Sequence, residues 1–210
     1  MRFNQSRTGK YVISAQDKRR LSVKQIIVFV FVIIFTLPAL ASADTRPVEG
    51  STTGGYYNSV SERWTNEPIS IYVDDQGFSY VRGGGSSLIM ARGMLWGDDI
   101  DIPDFIELLE KGLEWGAIVK KEKIEITKDL GEILQGFIGE ESGMKLTFLS
   151  INNGSDFKIN LHIIDFDNRF KKISLFLREK QVKELIALVK KIPLTITELL
   201  KQKKKAELLK

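Results

Sequence analysis

Two alternating runs separated by an Asn-Gly turn constrain this chain more than any other feature. Lys145 to Ile151 and Phe157 to Phe166 flank Asn152-Asn153-Gly154-Ser155. Asn and Gly both accept the positive φ of a tight turn, so the pair predicts an antiparallel hairpin. Alternation puts Ile159, Leu161 and Ile163 on a buried face and Lys158, Asn160 and His162 on the opposite one. The rest of the chain must then supply something apolar to cover the first face.

Further segments read as strands or helices by the same criteria. Ile69, Ile71 and Val73 alternate with Ser70 and Tyr72. Asp74-Asp75-Gln76-Gly77 then signals a turn, with a return strand over Phe78 to Arg82. Gly83-Gly84-Gly85-Ser86-Ser87 reads as a loop before a strand from Leu88 to about Leu95. Ile102-Pro103-Asp104 opens a helix, because proline is tolerated in the first turn and an acid suits the positive end of the helix dipole. Its stripe is Phe105, Ile106, Leu108, Leu109 and Leu113, with Gly116 as the expected stop. Residues 117–127 are ambiguous between extended and helical, with Ile124 and Ile126 alternating about Glu125 in favour of a strand, and 128–143 has no clear type. Ile173, Leu175 and Leu177 suggest another strand. Val182, Leu185, Ile186, Val189 and Ile192 recur at helical spacing over about 178–192, and Pro193 is the expected stop.

The expected fold class is α+β, with antiparallel sheets and two amphipathic helices. The expected plan is a signal peptide over 1–43, a flexible arm over 44–67 and an α+β domain over 68–193. Within that domain two similar halves span about 69–116 and 117–193, and a lysine-rich tail of 194–210 follows. The arm rests on Gly, Ser, Thr and Asn without sustained periodicity; Tyr56, Tyr57 and Trp64 are its candidate contact points.

The leader is read from an uncharged run. Lys18, Arg19, Arg20 and Lys24 precede it, Ile26 to Leu37 is its unbroken apolar part, and Ala41-Ser42-Ala43 supplies an A-x-A cleavage pattern. A membrane span needs about 20 apolar residues, so cleavage after Ala43 and an exported, periplasmic or secreted product are expected. With no cysteine, stability must come from packing. Seven of the 31 basic residues (Arg2, Arg7, Lys10, Lys18, Arg19, Arg20, Lys24) and one of the 27 acidic ones (Asp17) lie before Asp44, leaving 24 and 26. The net charge of +4 therefore becomes −2, which removes the global electrostatic argument for nucleic acid.

In order of elements, the two halves each place several strands before one helix. The strand that leads straight into a helix, KKISLFLREKQVKELIALVKKI (171–192), gives the nearest local likeness. This plan resembles the Whirly family and related single-stranded-DNA-binding transcriptional coactivators, as topology over most of the mature chain. The resemblance implies a repeated four-strand-plus-helix fold. The family's lysine-rich DNA-binding signature has no counterpart here, so the resemblance implies fold alone.

Candidate chemistry is sparse. His162 is the single histidine, and without a Cys or a second His it has no ordinary zinc partners. The 83–87 loop could offer backbone N–H groups to a phosphate but matches no P-loop or dinucleotide pattern. Asp98, Asp99, Asp101 and Asp104 form the densest acidic cluster, suited to calcium in residue type but lacking the calcium-loop spacing. The same cluster is the candidate for a carboxylate-dependent hydrolase, whose geometry spacing alone does not give. No G-x-S-x-G elbow or H-E-x-x-H helix occurs. Lys201, Lys203, Lys204 and Lys205 could bind an anionic membrane surface or an acidic partner. The expectation is a non-enzymatic binding or assembly protein, with a protein partner or self-association. A cofactor is not expected unless calcium, and nucleic acid is disfavoured after export.

Overall fold

The computed structural model describes residues 45–85, 90–95, 101–135, 142–168 and 170–208. They belong to one compact unit, Ala43–Lys210. In chain order the strands and helices are β1 (Thr45–Pro47), β2 (Thr52–Asn58), β3 (Arg63–Asp74), β4 (Ser79–Gly83), β5 (Ala91–Leu95), α1 (Ile102–Glu122), β6 (Thr127–Gln135), β7 (Ser142–Ile151), β8 (Asp156–Ile164), β9 (Lys172–Leu177), α2 (Glu179–Val189) and α3 (Ile192–Glu207). The fold is α+β, as expected.

All strand pairs are antiparallel, in the order β5-β4-β3-β2-β9-β8-β7-β6, with β1 against the end of β3. The expected hairpin is β7–β8, paired from Gly143↔Ile164 to Ile151↔Asp156. Asn152, Asn153 and Gly154 all take positive φ. Gly154 is also required for space, because a Cβ there would lie 2.1 Å from the Val119 carbonyl oxygen at the end of α1.

The sheet curls until it is nearly a closed barrel. Inward side chains of β3, β7, β8 and β9 (Ile69, Ile71, Met144, Leu146, Phe148, Ile159, Leu161, Ile163, Leu175) are fully buried and form the core with the helices. Gly83 and Gly93 let β4 and β5 lie close over Leu175 and Met144. The loop after β8 then ties down β5. Phe166 N–H donates to the Arg92 carbonyl at 3.2 Å, and Arg92 donates through its backbone N–H to Asp165 at 3.0 Å. The Arg92 guanidinium bonds to Asp165 and Asp167 and lies 4.7 Å over the Phe166 ring, which stacks on Tyr80.

Helix α1 buries Ile102, Phe105, Leu109, Gly112, Gly116 and Val119. The expected stop at Gly116 is not one: the helix continues to Glu122 and closes on Lys123 in the left-handed conformation. Gly112 and Gly116 serve close approach instead. A Cβ on Gly112 would sit 2.3 Å from Ile159 Cδ1, and one on Gly116 2.2 Å from Phe157 Cε1. The gain in packing against β8 offsets the weaker helix propensity of about 1 kcal/mol per glycine.

Residues 44–67, expected as a flexible arm, instead carry β1, β2 and the start of β3. The small residues that read as a linker are needed in β2, where a Cβ on Gly54 would meet Leu175 at 2.8 Å. At the other end, residues 194–207 of the expected tail belong to α3. Pro193 sits in the first turn of α3, which buries Ile192, Ile196 and Leu199. Residues 117–122, ambiguous in sequence between extended and helical, belong to α1, and the untyped 128–143 contains most of β6 and the start of β7. Among the described residues, five strands precede one helix and then four strands precede two helices, so the repeated four-strand-plus-helix plan is not confirmed.

Candidate ligand-binding face

The helices line the inner face of the sheet, so the outer side chains of β2, β3, β9, β8 and β7 form a continuous surface. Register places them in rows. In one row Lys145, His162 and Ser174 are direct neighbours on β7, β8 and β9. In the next, Thr147, Asn160, Phe176 and Gly55 follow one another across four strands.

At the β2–β3 end of this surface is an open cleft of about 460 Å³, lined by Gly55, Trp64, Thr65, Asn66, Lys158, Phe176, Arg178 and Gln181. Trp64 is 57% exposed despite lying within a sheet. Tyr57 lies tilted against it at 5.4 Å, Phe176 meets it edge-on at 5.3 Å, and Lys158 Nζ is 5.8 Å from its ring centroid. Gly55 leaves the floor open between Trp64 and Phe176. The Gln181 side-chain oxygen accepts from Arg178 N–H at 3.0 Å, fixing the start of α2 at the rim. The lining holds two cations and no carboxylate, and among the described residues neither Lys158 nor Arg178 has an acidic partner.

His162 Nδ1 lies 2.7 Å from Ser174 Oγ. Burial holds the imidazole pKa below its ordinary value, and the positive charges of Lys172 and Lys145 lower it further. A Ser–His pair that attacks a substrate needs a third group to hold the ring; among the described residues no carboxylate bonds to this imidazole. One position further along the strand face, Asn160 Oδ1 is buried without a hydrogen-bond partner. Buried polar atoms are almost always paired, which makes this oxygen notable.

The other expected sites are placed differently. Asp98 and Asp99 lie outside the described residues. Asp101 precedes α1 and Asp104 is in its exposed first turn. Among the described residues no three His, Cys, Asp or Glu side chains are grouped to hold a metal. In the Gly83–Gly85 loop, Gly84 N–H donates to the Pro68 carbonyl and Gly85 N–H to Glu67. Those amides are therefore already occupied. Lys201, Lys203, Lys204 and Lys205 lie on α3, where Lys203 pairs with Asp75 at 2.8 Å and the other three are exposed. No helix among the described residues is long and apolar enough to cross a membrane.

Sequence reading placed His162, Lys158 and Asn160 on one face and singled out Tyr57 and Trp64. It missed Phe176, Arg178 and Ser174 as their neighbours, because the β2–β9 and β8–β9 pairings join residues distant in sequence. The signal available was the outward polar set of β8, which needed a register to acquire its partners. No protein family, curated protein or solved structure matches the chain.

Proposed function

We propose that this chain is an exported, non-enzymatic binding protein whose Trp64–Phe176 cleft takes an anionic ligand with a flat apolar face. The observation that carries the reading is the exposed Trp64 ring, braced by Tyr57 and Phe176 and flanked by cations without acidic partners. Exposing a large aromatic to water is unfavourable unless something covers it, and rigid aromatics lose little entropy when they bind. Thr65, Asn66 and Gln181 supply neutral hydrogen-bonding groups around the ring, while Lys158 and Arg178 select negative charge. Export is supported by the leader pattern.

Amide NMR with two small anionic, ring-bearing probes, digalacturonate and a thymidine dinucleotide, tests the cleft. At least one is expected to shift Gly55, Asn66 and Gln181, and to lose that effect in Trp64→Ala. If neither probe moves those amides, the reading is wrong. Export is checked by the mass of the product from its native cell: it should begin at Asp44, and a product that retains Met1 contradicts export.

A further inference from the structure

We infer that the outer face carries a second anion subsite, built by Lys145, His162, Lys172 and Ser174, and that with the Trp64 cleft it reads an acidic polysaccharide laid along β8. The inference rests on the cleft being a ligand site, and it adds the ligand's class and direction.

The argument begins with spacing. Lys158 lines the cleft and His162 is four residues further along the same strand, which is about 13 Å at the usual rise. Both side chains face outward. Around His162, Lys145 lies opposite on β7, Ser174 lies opposite on β9, and Lys172 is the diagonal neighbour on β9. On its own strand the adjacent outward residues are Asn160 and Ile164. Two carboxylates approach from β6: Asp129, 3.3 Å from Lys145, and Glu132, the register partner of Lys145. Lys145 is thus partly neutralised, whereas Lys172 has no acidic partner among the described residues. A second patch of positive charge therefore lies along β8 from the first.

What separates the two patches decides the ligand class. The intervening row is Thr147, Asn160 and Phe176, uncharged throughout. A ligand that spans it needs anions that reach both patches and hydrogen-bonding groups over the neutral row between them. Thr147 and Asn160 give that row uncharged hydrogen-bonding side chains, which suit the hydroxyls of a sugar chain. Nucleic acid is gathered chiefly by a strong positive field. The chain from Asp44 onward has a net charge of −2 and offers no such field. A single aromatic platform between hydroxyl and amide groups suits one pyranose face, so a chain of uronic acids fits better than a strand of nucleotides.

The second subsite is also sensitive to pH. An imidazole held neutral by burial and two lysines gains a favourable neighbour when a carboxylate binds beside it. Binding then promotes proton uptake, so affinity for a ligand that reaches His162 rises as pH falls below the ordinary histidine range. A uronate carboxyl remains ionised through the upper part of that interval.

Calorimetric titration of the mature protein with digalacturonate, hexagalacturonate, maltohexaose and a thymidine hexanucleotide tests the inference, alongside amide NMR. Hexagalacturonate is expected to bind at least about tenfold tighter than digalacturonate, since linked contacts act at high effective concentration. It should shift Lys145, His162 and Ser174 in addition to the cleft. The Lys145→Ala/Lys172→Ala variant should bring hexagalacturonate down to the affinity of digalacturonate and leave the latter unchanged. His162→Asn should flatten the pH dependence of the hexamer alone. Equal affinity for the two galacturonates, or a hexamer affinity that the double variant does not alter, overturns the second subsite while the cleft reading survives. Tighter binding of the thymidine hexamer makes the ligand a nucleic acid and overturns the polysaccharide assignment. Maltohexaose binding as tightly as hexagalacturonate removes the role of charge. If no anionic probe touches Gly55, Asn66 or Gln181, the cleft reading itself falls.

Discussion

Strand β8 presents two faces with opposite chemistry. Inward are Phe157, Ile159, Leu161 and Ile163, all at most 2% exposed; outward are Lys158, Asn160, His162 and Ile164, half-buried. The inner row is closely matched to its surroundings, since α1 gives up two Cβ atoms, at Gly112 and Gly116, to lie against Ile159 and Phe157. On the outer row a side-chain carbonyl oxygen has no partner among the described residues, and burial, reinforced by two lysines, lowers the pKa of the imidazole. Packing explains the first arrangement completely. It leaves the second without a reason, and that contrast is what points to the proposed ligand face.

The comparison is broken most severely from the inside. Ile159→Ala removes a fully buried side chain against which α1 is packed, and should cost about 2–5 kcal/mol in chemical denaturation. Gly116→Ala tests the same seam by overfilling it, with an expected loss of about 1–3 kcal/mol. If Gly116→Ala stabilises the protein through better helix propensity, α1 does not lie as close to β8 as described.

The closure between β5 and the loop after β8 comes next. Arg92→Ala leaves Asp165, 2% exposed, with only its backbone N–H donors. Hydrogen bonds to charged groups contribute about 1.5–3 kcal/mol, so a loss in that range is expected in equilibrium unfolding. A change within error would place closure of the sheet elsewhere.

The smallest effect belongs to a surface bridge between α1 and α2. Lys120 and Lys183 bond to Glu179 at 2.8 and 2.6 Å and lower its pKa to about 2. A depressed carboxylate contributes stability above its unfolded pKa of about 4.3, and that contribution is lost as pH falls towards 2. Solvent screening keeps it to a few tenths of a kcal/mol. Glu179→Gln should therefore narrow the stability difference between pH 6 and pH 2.5 slightly. An unchanged difference contradicts the bridge.

The same contrast explains what could be read from the sequence. The β7–β8 hairpin was legible because Asn153-Gly154 and period-two alternation are local signals, and α2 showed its apolar spacing, whereas α3 runs on past the expected stop at Pro193. Gly116 and the Thr52–Gly55 stretch were misread because glycine looks identical in sequence whether it breaks an element or admits a neighbour. Only the positions of Phe157 and Leu175 separate these roles. The candidate site was half visible for a related reason. His162, Lys158 and Trp64 were placed on faces or singled out by local pattern, whereas Phe176, Ser174 and Arg178 join them through strand pairings that no local window contains.

The most direct test is calorimetric titration of hexagalacturonate into the mature protein and its Trp64→Ala variant, with thermal melting of both as the control for folding. Trp64 is more than half exposed, so the melting temperatures should agree closely. The account predicts that the wild-type protein binds and that the variant loses about tenfold or more in affinity, as expected for removal of a central aromatic anchor. Equal binding by two equally stable proteins would contradict it.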